Sequence, residues 1–230
     1  MSKLVVMNFS GNVGKSTVAR HLLSPRVNNA TLIAVESINS DGSQDEAVRG
    51  RQFGELIEAL AVLDDVVVDV GASNVEDFIG QMKQYRGSHE DFDFFVIPTV
   101  PKTKQLRDTI STIESLREVG VPAKKIRVVF NMVEIGENPE RLFASLFDYH
   151  LTEKSFTLKP DAVIHVSDIF SKIGNANIID ILNDKTDFKA LSGAAIETEE
   201  KVKYTRLLSN QRLAAGVTEE LDAVFKTLFK

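Results

Sequence analysis

A cluster of residues that could bind phosphate lies near the start of the chain, between an apolar run at 4–9 and a segment with helical spacing. A strand that turns through glycines into a helix points several backbone N–H groups and the positive end of the helix dipole at one spot, which suits a phosphate. A lysine there adds positive charge, and a serine offers a hydroxyl to a magnesium ion bridging the phosphates. The residues that we assign to this nucleotide-binding loop are Gly11, Asn12, Val13, Gly14, Lys15, Ser16 and Thr17.

The loop matches the core of the P-loop pattern, Gly-x-x-Gly-Lys-Ser/Thr, but not its first position. The full pattern has a glycine five residues before Gly14, where this chain has Phe9. In a simpler interpretation, Gly11 and Gly14 only shape a turn and Lys15 is a solvated surface lysine. That interpretation does not explain why these residues meet at one strand-to-helix junction, so we predict a catalytic role for Lys15.

Composition narrows the class of protein. The chain has 230 residues, no cysteine and a net charge of −6, which fits one large α/β domain. The lack of cysteine excludes disulfides, thiol nucleophiles and cysteine-zinc sites, and it favours a reducing compartment. The negative charge opposes contact with nucleic acid except through a local basic patch. No run resembles a signal peptide or is long enough to span a bilayer, so we expect a cytoplasmic protein.

Apolar runs of strand length alternate with segments of helical spacing. This alternation predicts an α/β fold with a doubly wound, mostly parallel sheet and helices on both faces. We expect a single domain over residues 1–230, with a mainly helical part from about residue 184. The predicted strands lie at 4–9, 31–35, 66–68, 94–97, 126–132 and 162–166.

Local signals predict several boundaries. The continuous apolar run at 31–35 indicates a strand covered on both faces, and Pro98 is expected to end the fourth strand. Ser73 or Asn74 is predicted to cap the helix that follows the third strand. Thr218 is predicted to cap a last helix, whose apolar stripe fits packing better than a membrane surface because its first turn is acidic.

Polar residues follow three of the predicted strands. Glu36 ends the second, Asp69 and Gly71 end the third, and Asn131 lies at the end of the fifth. The carboxyl ends of parallel strands form the ligand edge of such a sheet. Asp69 lies where P-loop enzymes place a magnesium ligand, and a buried strand rarely ends in aspartate without a ligand or cap. Glu36 could also be a strand-end carboxylate without a task, and Asn131 a turn residue bonding its own backbone.

The order of these signals resembles the ParA/MinD family of deviant Walker A P-loop ATPases, up to about residue 180, and the run at 8–17 is similar to the plasmid StbB/TraL branch. The resemblance implies that Lys15 and the loop bind ATP, that Ser16 and Asp69 bind Mg²⁺, and that Asn131 contacts the adenine edge. It further implies a homodimer that closes around two ATP molecules and opens after hydrolysis. Such a protein would act as a switch in plasmid partition, stability or conjugation.

The chain departs from the family at two positions. The family's signature lysine, which reaches the partner's phosphates, is replaced by Ser10, so we expect slow hydrolysis or a substitute cation. The register of the family's water-orienting aspartate falls on Ile38, which leaves Glu36 or Asp41 for that role. Candidate substitute cations are Lys102, Lys104 and Arg107.

A DNA-binding partner protein is favoured over direct DNA binding, because lysine-rich positions are most often a solvated face and the chain is acidic. Two other functions stay open. One is a nucleotide-binding assembly module with little turnover. The other is a metabolic P-loop kinase or ligase, for which no second basic or histidine-rich cluster is present. The candidate basic patch comprises Lys102, Lys104, Arg107, Lys124, Lys125 and Arg127.

Overall fold

The computed structural model describes residues 2–28, 30–35, 46–174 and 176–230, without the side chains of residues 46–51. Contacts divide the chain into two compact units. The first comprises Met1–Val166 and Val224–Lys230, and the second comprises Ser167–Ala223. The single domain expected from the sequence stays a prediction.

The first unit contains a six-stranded sheet in the order β2-β3-β1-β4-β5-β6, in which every pairing is parallel. This confirms the predicted doubly wound parallel sheet. The strands are β1 (Ser2–Val6), β2 (Thr31–Val35), β3 (Asp65–Val70), β4 (Phe94–Thr99), β5 (Ile126–Val133) and β6 (Val163–His165). The helices of this unit are α1 (Lys15–Thr17, continued by a π-helix over Val18–Leu23), α2 (Glu46–Val62), α3 (Val75–Gln84), α4 (Thr103–Val119), α5 (Pro139–Leu142) and α6 (Ala144–Glu153).

Helices cover both faces of the sheet because successive strand residues point to opposite sides. Phe95 faces the main core, where its ring lies 5.5 Å from that of Phe92 and packs with side chains of α2, α3 and α4. Phe94 faces the other way, and its ring centroid lies 5.0 Å from that of Phe229 near the carboxyl terminus. Burial of both faces explains why these strands are continuous apolar runs.

Two strand predictions are wrong in detail. β2 is an edge strand in which only Val35 is buried, so it is not covered on both faces. β4 continues through Pro98 to Thr99. Proline is tolerated there because the carbonyls of Val96 and Pro98 point towards β1, whose last residue paired with β4 is Val6. The missing N–H of Pro98 therefore removes no ladder hydrogen bond.

The second unit is helical and has its own small core. It contains α7 (Ile169–Lys172), α8 (Ile178–Asn183), α9 (Phe188–Ala194) and most of α10 (Thr198–Phe229). The side chain of Asn177 caps α8, and that of Asp187 caps α9. Thr218 lies inside α10, so the prediction that it begins the last helix is wrong. The fully or largely buried residues of this core are Ile169, Ile173, Ile178 and Ala214.

The last turns of α10 pack within the first unit, which confirms the expected packing of this segment. Leu228 is buried, and its carbonyl accepts a hydrogen bond from Nε of Arg127 at 2.8 Å. The guanidinium of Arg127 also stacks over the ring of Phe94. In the part of the chain that the structure describes, no helix is long and apolar enough to cross a membrane.

Buried His21, in the π-helix after α1, gives stability a pH dependence. Burial lowers the pKa of His21 from 6.5 to about 4, and Arg20 acts in the same direction. Between those pH values the unfolded chain binds a proton that the folded chain does not, so stability falls as pH falls. We expect His21 to account for a loss of roughly 3 kcal/mol. Denaturant unfolding at pH 7 and pH 4 should show a smaller loss in His21→Gln, and equal losses in both proteins would contradict the prediction.

Candidate functional site

The predicted loop lies at the carboxyl end of β1 and leads directly into α1. Gly14 caps this helix with φ at +83°, and Asn12 is also left-handed with φ at +56°. Asparagine and glycine are the residues that adopt this region most readily. Left-handed residues that alternate with helical ones turn successive N–H groups towards one point, which forms a concavity for anions. The loop therefore has a backbone shape suited to phosphate.

The ammonium group of Lys15 is buried against the loop. The residue is 8% exposed, and Nζ donates a hydrogen bond of 2.7 Å to the carbonyl of Ser10. Burial lowers the pKa of Lys15, and the negative charge of Asp69 acts in the opposite direction. Because a phosphate would add negative charge and replace the carbonyl as partner, the buried ammonium is well suited to bind one.

Asp69 lies beside the loop because of the sheet register. It is paired with Val6, the last residue of β1, and with Ala34 on the other side. Asp69 is buried, whereas Ser16 at the start of α1 is exposed. Carboxylate and hydroxyl oxygens fit Mg²⁺, which usually keeps several waters and takes phosphate oxygens as ligands. Among the described residues, no group of three or more His, Cys, Asp or Glu side chains could hold a metal.

Asn131, near the carboxyl end of β5, contacts the loop. It is 3% exposed, and its side-chain amide donates a hydrogen bond of 2.9 Å to the carbonyl of Val13. Its Oδ1 accepts from the amide of Met132, which has φ at +56° at an irregularity of the β5–β6 pairing. The side-chain nitrogen of Asn131, Nδ2, occupies the space that a Cβ on Gly14 would need. Asn131 thus holds the loop, and its contact with adenine stays a prediction.

The carboxylates proposed to orient water are not placed by this structure. Glu36 and Asp41, together with Ile38, lie outside the described residues. The strand that precedes them is fixed at its end, because Nδ2 of Asn74 donates a hydrogen bond of 2.6 Å to the carbonyl of Val35. Asn74 holds the cap position of α3 but forms no side-chain cap bond there. The capping prediction is therefore right about position and wrong about the interaction.

The six residues of the predicted basic patch lie at opposite ends of the strands, some at the carboxyl ends and some at the amino ends. Lys102, Lys104 and Arg107 follow β4 and are exposed at the carboxyl edge, the same edge as the loop. Lys125 and Arg127 lie at the amino end of β5, where both donate to backbone carbonyls. Because β4 and β5 are parallel, residues that follow β4 and residues that precede β5 lie at opposite ends of the strands. The prediction that these residues form one patch is therefore wrong.

Sequence reasoning missed a set of buried polar residues next to the loop. Asn8 lies within the apolar run at 4–9 and is fully buried, and Ile110 of α4 is only partly buried. The face of α4 that packs inward instead contains Thr109 and Thr112. Two threonines at i and i+3 inside an otherwise apolar stripe were the signal.

The parallel sheet with helices on both faces defines the class as a doubly wound α/β fold, and solved structures share it. The MinD cell division protein of Aquifex aeolicus matches with a TM-score of 0.52 at 14% identity, over 86% of this chain and 99% of that chain. A pnob8 ParA structure matches with a TM-score of 0.53 at 11% identity, over 98% and 99%. The MinC:MinD cell division protein complex of Aquifex aeolicus gives 0.52 at 13% identity, over 78% and 88%. TM-scores above 0.5 at such low identity show a shared fold and nothing further.

Sequence comparison alone gives no relative. No protein-family model and no curated protein sequence matches the chain significantly. The likeness to MinD and ParA is therefore one of backbone architecture, and the chemistry of this chain has to be argued from its own residues.

The contact between Gly14 and Asn131 can be tested by a double-mutant cycle. Gly14→Ala places a Cβ against Asn131 at a left-handed φ, so we expect a loss of about 3 kcal/mol in unfolding free energy. Adding Asn131→Ala should recover the part of the lost unfolding free energy that is due to the overlap of Cβ with Asn131. The part that is due to the left-handed backbone at position 14 should remain. The matched control is Gly11→Ala, where a Cβ meets nothing within 4 Å. Chemical denaturation measures the wild type, Gly14→Ala, Asn131→Ala, the double variant and the Gly11→Ala control; equal losses at Gly11 and Gly14 would contradict this geometry.

Proposed function

We propose that this protein is a ParA-like P-loop ATPase that acts as a nucleotide-dependent switch in plasmid partition, stability or conjugative transfer. The observation that carries the proposal is the buried Lys15 ammonium, which lies in a loop at the carboxyl end of β1 next to Gly14 in the left-handed conformation. The same loop precedes a helix, so backbone N–H groups, the helix dipole and the lysine converge on one anion. ATP supplies three adjacent phosphates of the right charge.

In this proposal each residue at the ligand edge has a task. The backbone from Gly11 to Thr17 and the Lys15 side chain bind the phosphates, and Asn131 holds the loop beside the adenine. Ser16 and Asp69 would hold Mg²⁺, which neutralises charge that develops on the transferred phosphoryl group. Glu36 is proposed to orient the attacking water.

Ser10 sets the rate that we expect. The residue is 3% exposed, its amide donates to Oδ1 of Asn8 and its carbonyl accepts from Lys15. A small, buried, neutral side chain cannot reach the phosphates of a second copy. Hydrolysis is therefore slow unless Lys102, Lys104 or Arg107, exposed at the same edge, supplies the cation.

A second candidate function, a nucleotide-binding assembly module with little turnover, is favoured by the same burial of Ser10. ATP hydrolysis measured with and without DNA, and with a DNA-binding companion protein, separates the two candidates. Strong stimulation by a companion protein supports the switch. Tight binding without turnover under every condition supports the module, and stimulation by a small metabolite would contradict both.

The proposed partner is a small DNA-binding protein, and not DNA itself. The net charge of −6 repels a polyanion, and the basic residues expected to form one patch lie at opposite ends of the strands. A nucleotide-dependent homodimer would let such a partner detect the ATP-bound state.

Lys15→Ala tests the nucleotide site. Removing the ammonium takes away the main cation of the loop, so we expect ATP binding in the presence of Mg²⁺ to fall at least a hundredfold, as measured by calorimetry. Lys83→Ala is the control, since Lys83 forms an exposed ion pair with Glu118. Normal ATP binding by Lys15→Ala would show that the loop assignment is wrong.

Ser10→Lys tests the closed homodimer. A lysine at this position could reach the phosphates of a second copy, and we expect hydrolysis to rise by at least tenfold, within the range of an arginine finger. Ser10→Met is the matched control because it adds similar length without charge. The turnover number at saturating ATP and increasing protein concentration is measured. A similar rate in both variants would argue against a dimer with facing loops.

A further inference from the structure

A buried chain of hydrogen bonds connects the beginning of the loop to helix α4. The side-chain amide of Asn8 donates to the carbonyl of Pro98 at 2.9 Å and to the hydroxyl of Thr109 at 2.8 Å. Its Oδ1 accepts from the amide of Ser10 at 2.8 Å. One asparagine thus contacts the loop, the end of β4 and the second turn of α4 through three hydrogen bonds.

A second link runs parallel to the first. The amide of Phe9 donates to the hydroxyl of Thr112 at 3.1 Å, and that hydroxyl donates to the carbonyl of Asp108 at 2.7 Å. Thr109 similarly bonds the carbonyl of Gln105, one turn back in the same helix. Thr112 therefore connects the backbone at Phe9, and Thr109 the side chain of Asn8, to backbone carbonyls in the first half of α4.

The links are rigid because they are buried and complete. Asn8, Thr99, Thr109 and Thr112 are each 0% exposed, and the hydroxyls of Thr99 and Thr109 lie 2.8 Å apart. Inside a protein such a network is stronger than in water, and leaving one donor unpaired is costly. The loop can therefore move at Ser10 only if Asn8 or α4 adjusts.

Ser10 joins this network to the phosphate site. Its amide is bonded to Asn8 and its carbonyl to the Lys15 ammonium. We propose that Asn8 and Thr112 are positioning residues that hold the phosphate loop against α4 and make this helix respond to nucleotide. The inference rests on the proposed ATP site and adds its regulation.

The expected response follows from competition for one ammonium group. A phosphate in the loop competes with the Ser10 carbonyl for Lys15, and the charged acceptor forms the stronger bond. Relaxation of the Ser10 peptide changes its bond to Asn8 and shifts the adjacent Phe9 amide. These changes reach α4 through Thr109 and Thr112. Exposed residues of the first turns of α4, Lys102, Lys104 and Arg107, would thereby report whether the site is filled.

Thr112→Val tests the proposal because valine keeps the shape and removes the hydroxyl. We expect about a tenfold weaker ATP affinity by calorimetry, the effect of one buried hydrogen bond. Thr112→Ser keeps the hydroxyl and should bind within about twofold of the wild type. Asn8→Ala should weaken binding in the same direction. The control is Thr152→Val, which removes an exposed hydroxyl of α6 that is bonded to the carbonyl four residues back and, within the described residues, forms no hydrogen bond to Asn8, Phe9 or Thr109.

Hydrogen exchange provides the readout that a merely structural role would not change. In the wild type, we expect ATP to alter exchange at residues 9–11 and 103–112, and Thr112→Val should lose the response in α4 while keeping its folded baseline. If Thr112→Val does not fold, the exchange in wild-type protein decides: a change in α4 on adding ATP supports the proposal, and an unchanged α4 overturns it.

Failure of this inference is distinct from failure of the proposed function. If the wild type binds ATP, Lys15→Ala does not, and Thr112→Val and Asn8→Ala bind as the wild type does, the coupling is wrong and the ATP site stands. If the wild type does not bind ATP at all, both the proposed function and the coupling are overturned.

Discussion

The buried ammonium of Lys15 is the constraint on which the ligand edge depends. Lysine is rarely buried unless its charge is compensated. Here the Ser10 carbonyl accepts a hydrogen bond from it, and Asp69 supplies an opposite charge. Each compensating group must itself be held, Ser10 by Asn8 and Asp69 by the strands paired on both sides of β3. The charge of the loop is thus arranged before any phosphate arrives.

The central position of β1 explains how one loop can be held from two sides. β1 lies between β3 and β4, so the residues after it face Asp69 on one side and the end of β4 with α4 on the other. The first side is electrostatic and suits a cation or a metal ion. The second is a neutral, buried network of Asn8 and threonines, which fixes position without adding charge.

The backbone fold of this protein does not by itself determine which side chains are present at the site. MinD and ParA share the backbone fold, and position 10 of this chain carries a buried, neutral serine. Phosphoryl transfer depends on positive charge around the transferred group. In the proposed ATPase, nucleotide binding and turnover are therefore separate properties, and the exposed cations at the start of α4 are candidate groups to connect them.

The sequence by itself determined the parallel α/β class, the position of the glycine loop after β1 and the placement of Asp69 and Asn131 near strand ends, because apolar runs, glycine spacing and polar residues at the ends of these runs are local features. It could not determine the pairing of partners far apart in the chain. The packing of Asn131 over Gly14, the separation of the basic residues between the two ends of the strands and the bonds from Asn8 to α4 all depend on strand order and register. Those are set only when strands distant in sequence pack into one sheet, since side-chain contacts between them do not exist in any local segment.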